Sequence, residues 1–180
     1  MFVHFHGSFI PLQGIEYIIH AFNLIINKYE VKDIKLRLIG KGQESEKIKR
    51  LINSLNLFDN IEQIDKVSYE TLPEYICNSG VALGIFGKNI KSDMVIPNKV
   101  YEAIGCGKIL ITSNTKAIRE LLIDKVNAVL VEQGNAVELA QAIIDIKQNN
   151  VDIINIQKNV EILRKEIYPK NIVNNLIKTI

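Results

Sequence analysis

IPNKVYEAIGCGKILITS, residues 96–113, reads as a proline-led helix, a glycine stop and a short apolar strand. Pro97 suits a helix start, because the N–H it lacks would be unpaired there anyway. Gly105 and Gly107 suit the other end, where a left-handed residue is cheap only without a side chain. Lys108 to Ser113 then reads as a buried strand. A helix start beside a glycine-containing loop presents free N–H groups and a positive dipole end, which suits a phosphate. Glu102, about one turn into that helix, has the chemistry to accept hydrogen bonds from sugar hydroxyls. Nucleotide binding is the first expectation.

The same alternation extends outward in both directions. Upstream, Phe2–His6 reads as a strand and Leu12–Tyr29 as a helix. That helix carries Ile15, Ile18, Ile19, Phe22, Ile25 and Ile26 on one face. Ile34–Ile39 is a strand ending at the turn Gly40-Lys41-Gly42, and Gln43–Leu55 a helix with a charged outer face. A strand over Ile61–Asp65, a helix over Tyr69–Asn78 with Pro73 in its first turn, and a strand over Gly80–Phe86 follow. Gly87–Ile96 reads as an exposed loop. Downstream come a short helix (Ala117–Leu122), a strand (Ala128–Val131), a helix (Asn135–Lys147), and a polar helical stretch from Asp152 to Ile180 broken at Pro169. About six strands alternating with helices imply a Rossmann-like, doubly wound α/β fold. Its mostly parallel sheet would carry helices on both faces, as right-handed crossovers require. Ligands of such sheets bind outside the carboxyl ends of the strands, near the topological switch point. The loops after His6, Ile39, Asp65, Phe86 and Ser113 are where chemistry is expected.

Bulk properties narrow the function classes. At 180 residues the chain is expected to be one domain spanning 1–180, with residues 152–180 as closing helices. With 22 basic and 20 acidic side chains the net charge is +2, too balanced to argue for a nucleic-acid partner. The composition is 47% hydrophobic, yet no apolar run approaches the roughly 20 residues a membrane helix needs. MFVHFHGSF lacks the basic region and apolar core of a signal peptide. Cys77 and Cys106 are far apart in sequence and fit no metal spacing. A reduced, cytoplasmic protein is expected, with peripheral contact to an acidic membrane surface left open.

Several residues carry both a functional and a plain reading. The loop GSFIPLQG, Gly7 to Gly14, has the composition to cradle phosphate through backbone N–H groups. It is not GxGxxG, and the acid a dinucleotide fingerprint needs about 20 residues later is missing. Glu102 is either a dipole partner or a ligand-binding acid. Lys99 is either a solvated lysine or a point charge against a diphosphate. His4 and His6 share one strand face, and without a third ligand in view packing is favoured over a metal. Cys106 has no neighbouring histidine motif, which argues against a nucleophile.

GSFIPLQGIEYIIHAF, KLRLIGKG, NIEQIDKVSYETLPEYICNSGVALGIF, VIPNKVYEAIGCGKILITS and NAVLV, in that order, resemble the carboxy-terminal, nucleotide-sugar-binding half of group 1 glycosyltransferases (glycosyltransferase family 4). The resemblance covers roughly Phe2 to Lys147. It implies one half of a GT-B fold, in which two Rossmann-like domains face each other across a cleft. The acceptor-binding domain is then expected from outside this chain, in cis or in trans. The resemblance assigns Glu102 to the ribose hydroxyls as the second acid of a paired-glutamate motif. It places Pro97, Asn98 and Lys99 at the helix start facing the diphosphate or the donor sugar. Gly7 and Gly14 flank the loop facing the phosphates, Val67 and Ser68 line the base, and Leu72 is an apolar packing position nearby.

Three positions depart from that family pattern. The first acid of the motif, eight residues before Glu102, is Met94, with Asp93 one residue out of register. The arginine that often follows the first glycine is Ser8, and the lysine expected before Gly14 is Gln13. Losing both basic groups removes two charge-assisted contacts of about 1.5–3 kcal/mol each. Lys99, with Lys88 or Lys91, is the candidate compensation, and a subset of relatives combines a PNK-type helix start with a similarly neutral loop. The implied function is donor binding in a retaining transfer of a sugar from a nucleotide diphosphate sugar to a glycan or lipid-linked acceptor. No metal or cofactor is expected, and no catalytic base is assigned in this half. The alternatives are a degenerate, non-catalytic nucleotide-sugar-binding or partner module, a nucleotide-sugar epimerase of GT-B architecture, and a Rossmann domain of unrelated function.

Overall fold

Six parallel strands form one sheet in the order β3-β2-β1-β4-β5-β6 in the computed structural model, which describes residues 1–171. The strands are β1 (Phe2–His6), β2 (Lys35–Ile39), β3 (Ile61–Ile64), β4 (Val81–Leu83), β5 (Leu110–Ser113) and β6 (Val129–Val131). This is the doubly wound α/β architecture that the alternating pattern predicts. Strand order reverses between β1 and β4, and the crevice beyond their carboxyl ends is the expected ligand site.

The helices follow their apolar periodicity. Helix α1 (Ile15–Asn23) buries Ile15, Ile18, Ile19 and Phe22 completely. It packs against α2 (Ser45–Ser54) and α6 (Ala136–Lys147), while α5 (Asn98–Gly105) packs against α7 (Ile153–Glu166). One hydrophobic cluster runs from β1 and α1 through the central strands to Ile156, Val160 and Leu163 of α7.

Four local expectations are revised. The helix expected over Leu12–Tyr29 starts at Ile15 instead, after a 3₁₀ turn over Pro11–Gln13, and widens into a π-helical turn over Leu24–Lys28. Gly14 causes the break: it takes a left-handed conformation (φ +66°) as the N-cap of α1. The strand expected over Gly80–Phe86 is regular only at Val81–Leu83, although all seven residues except Gly80 are buried. Ala117–Leu122 narrows to a 3₁₀ turn at Ile118–Glu120.

Gly87–Ile96 is not an exposed loop throughout. It contains α4 (Ile90–Asp93), whose Asn89 side chain accepts from Ser92 N while Asn89 N donates to Ser92 Oγ. Ser92 is fully buried and its hydroxyl also donates to Gly87 O at 2.5 Å. Gln133 Nε2 donates to Ser92 Oγ at 3.0 Å, tying the turn to the segment after β6. Asn, Ser and Gly suggest an open loop by composition, but here they form a reciprocal cap. Of the closing segment, α7 and residues to 171 are described; residues 172–180 lie outside the described part.

Candidate functional site

Helix α5 supplies the site. Pro97 is its N-cap (φ −73°, ψ 151°) rather than a residue of its first turn, and no side chain caps the helix. The N-terminal N–H groups therefore have no side-chain cap among the described residues, beside exposed Asn98. Glu102 is the fifth residue of α5, so it is not a first-turn dipole partner. It is half-buried and takes a hydrogen bond from the end of β1, with His6 Nε2 at 2.6 Å from Glu102 Oε2. That bond, outweighing partial burial and helped by the nearby charges of His6 and Lys99, holds the Glu102 carboxyl below the usual carboxylate range.

Lys99 does not stand in the open crevice. It is 5% exposed, its Nζ lies 3.7 Å from the centroid of the Phe5 ring, and it donates to Gln13 Oε1. A Cβ added at Gly7 (φ +139°) would stand 2.9 Å from that Nζ. The ammonium thus sits directly beneath the loop that begins at Gly7. Burial draws its pKa well below the ordinary lysine value, while the charge of Glu102, one turn on, pulls it up more weakly. Gln13, the neutral residue where a lysine is expected, holds this amine from the other side of the loop. The missing charge at position 13 is matched by a charge arriving from α5.

The remaining expected residues divide into two groups. Gly7 and Ser8 form the rim above Lys99, with Ser8 exposed. Gly14 is buried instead, and a Cβ there would meet Gly87 N at 2.4 Å and Phe86 C at 2.5 Å. Its requirement is close backbone packing between the first and fourth strand loops. Val67 is half-buried in the loop after β3 and does not line the cavity that Glu102 borders. That cavity, of about 290 Å³, is lined by Tyr69, Leu72, Pro73 and Ile76 on one side and by Glu102, Gly105 and Cys106 on the other. Leu72, expected to be packing, is part of its wall. The segment from Tyr69 belongs to α3 (Leu72–Cys77) and the turn before it. The Cys106 thiol is pushed up to about 11 by burial and by a hydrogen bond with Cys77, so it is protonated at neutral pH.

His6 and His4, for which the sequence favours packing, also reach Glu102 as a hydrogen-bonded pair. His4 is fully buried, and its Nε2 lies 3.0 Å from His6 Nδ1. The two rings and Glu102 form a chain rather than converging on one point. Among the described residues no three His, Cys, Asp or Glu side chains are grouped to hold a metal ion. The available signal was the H-x-H alternation at the carboxyl end of a first strand, which places one face of the pair at the ligand end of the sheet.

The model of the glycosyl transferases group 1 family matches residues 2–149. The chain belongs to the group 1 glycosyl transferases. Curated relatives of this glycosyl transferase chain include uncharacterized glycosyltransferases of Haemophilus influenzae, 25% identical over 153 residues, and of Methanocaldococcus jannaschii, 27% identical over 149 residues. The matches take in 82% and 81% of this chain but 39% and 36% of those proteins, so it spans less than half the length of either. In three dimensions it is similar to Anabaena Alr3699/HepE in complex with UDP, with a TM-score of 0.82 at 17% identity over 99% of this chain and 47% of that one. The C-terminal domain of a Francisella tularensis group 1 glycosyl transferase (LpcC) aligns with a TM-score of 0.76 at 18% identity, over 93% of this chain and 85% of that domain. These likenesses show the fold to be the Rossmann-like α/β fold of those glycosyltransferases. No helix among the described residues is long and apolar enough to cross a membrane.

Proposed function

We propose that this chain is the donor-binding domain of a retaining group 1 glycosyltransferase, taking a nucleotide diphosphate sugar and acting on a glycan or lipid-linked acceptor. The observation that carries the reading is the pairing of two groups one turn apart on α5 at the switch-point crevice. Lys99 is a buried amine beneath the Gly7 loop, and Glu102 is an ionised carboxylate bordering an apolar cavity. A nucleotide meets both demands. Its base fits the apolar wall of Tyr69, Leu72 and Pro73, and its ribose hydroxyls donate to Glu102. Its diphosphate faces the Gly7–Ser8 rim and the uncapped start of α5 at Pro97, Asn98 and Lys99. The UDP held by similarly folded proteins such as Alr3699/HepE supports uridine as the first base to test.

The chemistry asked of this half is stabilisation of the leaving diphosphate. Aligned N–H groups and an ammonium in a partly buried site supply it without a divalent metal, as charge develops on the departing phosphate. The sugar's acceptor must be presented by a second domain, in cis or in trans, and the enzyme works in the cytoplasm. Calorimetric titration with UDP, GDP and ADP and their sugar conjugates, with and without Mg²⁺, tests the reading. One nucleotide should bind saturably and independently of Mg²⁺. Glu102→Ala should weaken it by about ten- to a hundredfold, the worth of a hydroxyl bond to a charged acceptor. An unchanged affinity in that variant removes Glu102 from the site.

A second reading rests on Met94. It is 73% exposed where the family pattern has an acid, and neighbouring Asp93 already accepts from Lys116 N at 3.4 Å. A module that binds the nucleotide but does not select the sugar would show equal affinity for UDP and for all its sugar conjugates.

A further inference from the structure

We propose that His6 is a positioning residue for Glu102 and that His4 sets the tautomer in which it works, leaving one carboxylate oxygen fixed for the vicinal hydroxyls of a ribonucleotide. This rests on the nucleotide-binding reading above. The chain of atoms is short: His4 Nε2 to His6 Nδ1 at 3.0 Å, then His6 Nε2 to Glu102 Oε2 at 2.6 Å. Among the described residues His4 Nδ1, at the far end, is buried without a partner.

That orphan atom decides the direction of every proton. An unpaired buried N–H costs more than an unpaired lone pair at the edge of an aromatic ring, so the bare nitrogen of His4 is Nδ1. His4 then carries its proton on Nε2 and donates to His6 Nδ1. His6, with Nδ1 occupied as an acceptor, carries its proton on Nε2 and donates to Glu102 Oε2. A second proton on His6 would face the Nε2–H of His4 and force the His4 proton onto the orphan site. The surroundings oppose added charge at His4 as well. Arg37 stands opposite it in register on β2, Lys99 approaches from α5, and burial first, then the charges of His6, Arg37 and Lys99, push its pKa down to about 3. Arg37 is itself engaged, with Nε at 2.5 Å from Glu62 and its guanidinium over the Phe2 and Tyr75 rings.

The consequence is selective. Among the described residues His6 is the hydrogen-bond partner of Glu102, and it uses Oε2. That leaves Oε1 as the second oxygen of a carboxylate anchored through Oε2, on a residue that lines the apolar cavity. A fixed acceptor distinguishes a sugar with vicinal hydroxyls from one without them.

Two measurements on the full chain test this. Nitrogen NMR of the histidine rings in the unliganded protein should show the ring proton of His4 on Nε2 and a proton on His6 Nε2 facing Glu102. An Nδ1–H at either ring overturns the relay, whatever the protein binds. Titration with UDP and with 2′,3′-dideoxy-UDP should show preference for UDP, kept in His6→Gln, whose amide replaces the Nε2 donor. In His6→Leu the preference should fall about tenfold with dideoxy-UDP affinity unchanged. Equal loss for both ligands means His6 is only structural and overturns the proposal. If wild-type protein binds neither ligand, the nucleotide reading and the selectivity fail together, and the ring tautomers alone decide whether the clamp exists.

Discussion

Lys99 is where one side chain sets the behaviour of the site. A buried amine held by a neutral amide and an aromatic ring has lost water without gaining, among the described residues, a counter-ion in salt-bridge contact. A diphosphate at the Gly7 loop supplies that counter-ion, so binding should raise the Lys99 pKa and draw in a proton. Calorimetry in buffers of different ionisation enthalpy should report proton uptake on nucleotide binding over the pH range in which unliganded Lys99 titrates, abolished in Lys99→Met. His4 leaves its own signature on stability. Its folded-state pKa is about 3 against 6.5 in the unfolded chain. It costs nothing above pH 6.5, and below that the unfolded chain binds a proton that the folded chain refuses. Stability should fall by about 1.4 kcal/mol per pH unit from this residue alone. Urea titrations of His4→Leu should therefore show a loss between pH 7 and about pH 4.5 that is smaller than wild type by about 2–3 kcal/mol.

Among the elements, α4 shows how a short segment is kept in place. Four residues do not make a stable helix by themselves. Ser92 holds the turn by sharing its one hydroxyl proton between Gly87 O and Asn89 O while accepting from Asn89 N and Gln133 Nε2. Ser92→Ala removes the cap and leaves buried Gly87 O with only the longer bond from Gln133 Nε2, at 3.3 Å, among the described residues. We expect a loss of about 1–3 kcal/mol, read as a lowered midpoint in thermal denaturation. Legibility differed among elements for a related reason. α1 and α6 were readable because their apolar faces repeat every three to four residues, and β1 and β2 because they are buried runs of strand formers. α4 was not, since its stability comes from contacts with Gly87 and Gln133 rather than from its own pattern. Gly14 was legible as a loop glycine, but its close approach to Phe86 and Gly87 depends on where the fourth strand ends.

At the scale of the molecule, the sheet order places β1 and β4 side by side and opens one crevice at their carboxyl ends. α5 lies over that crevice with α7 packed behind it, and Val160 and Ile156 are buried in the shared core. A ligand seated there binds the folded state alone and should stabilise the whole unit. At about 100 times its dissociation constant a nucleotide adds ~2.7 kcal/mol. For a chain of this size that raises the unfolding midpoint by roughly 5–10 °C. Differential scanning calorimetry with and without UDP checks it; a single transition moving as one unit is the expected form.

By itself the sequence determined the order of strands and helices, the parallel α/β class, the glycine positions and the family resemblance. All of these are written in short-range periodicity and in motifs of contiguous residues. Only the tertiary structure decided that Lys99 is buried beneath the Gly7 loop and that His4, His6 and Glu102 form a chain. The partners in those contacts are 86 residues apart for Lys99 and Gln13, and 96 for His6 and Glu102. No local pattern couples positions so distant; they meet because parallel crossovers bring the end of β1 under the start of α5. Burial then did the rest, by removing the water that would otherwise have satisfied each of those groups separately.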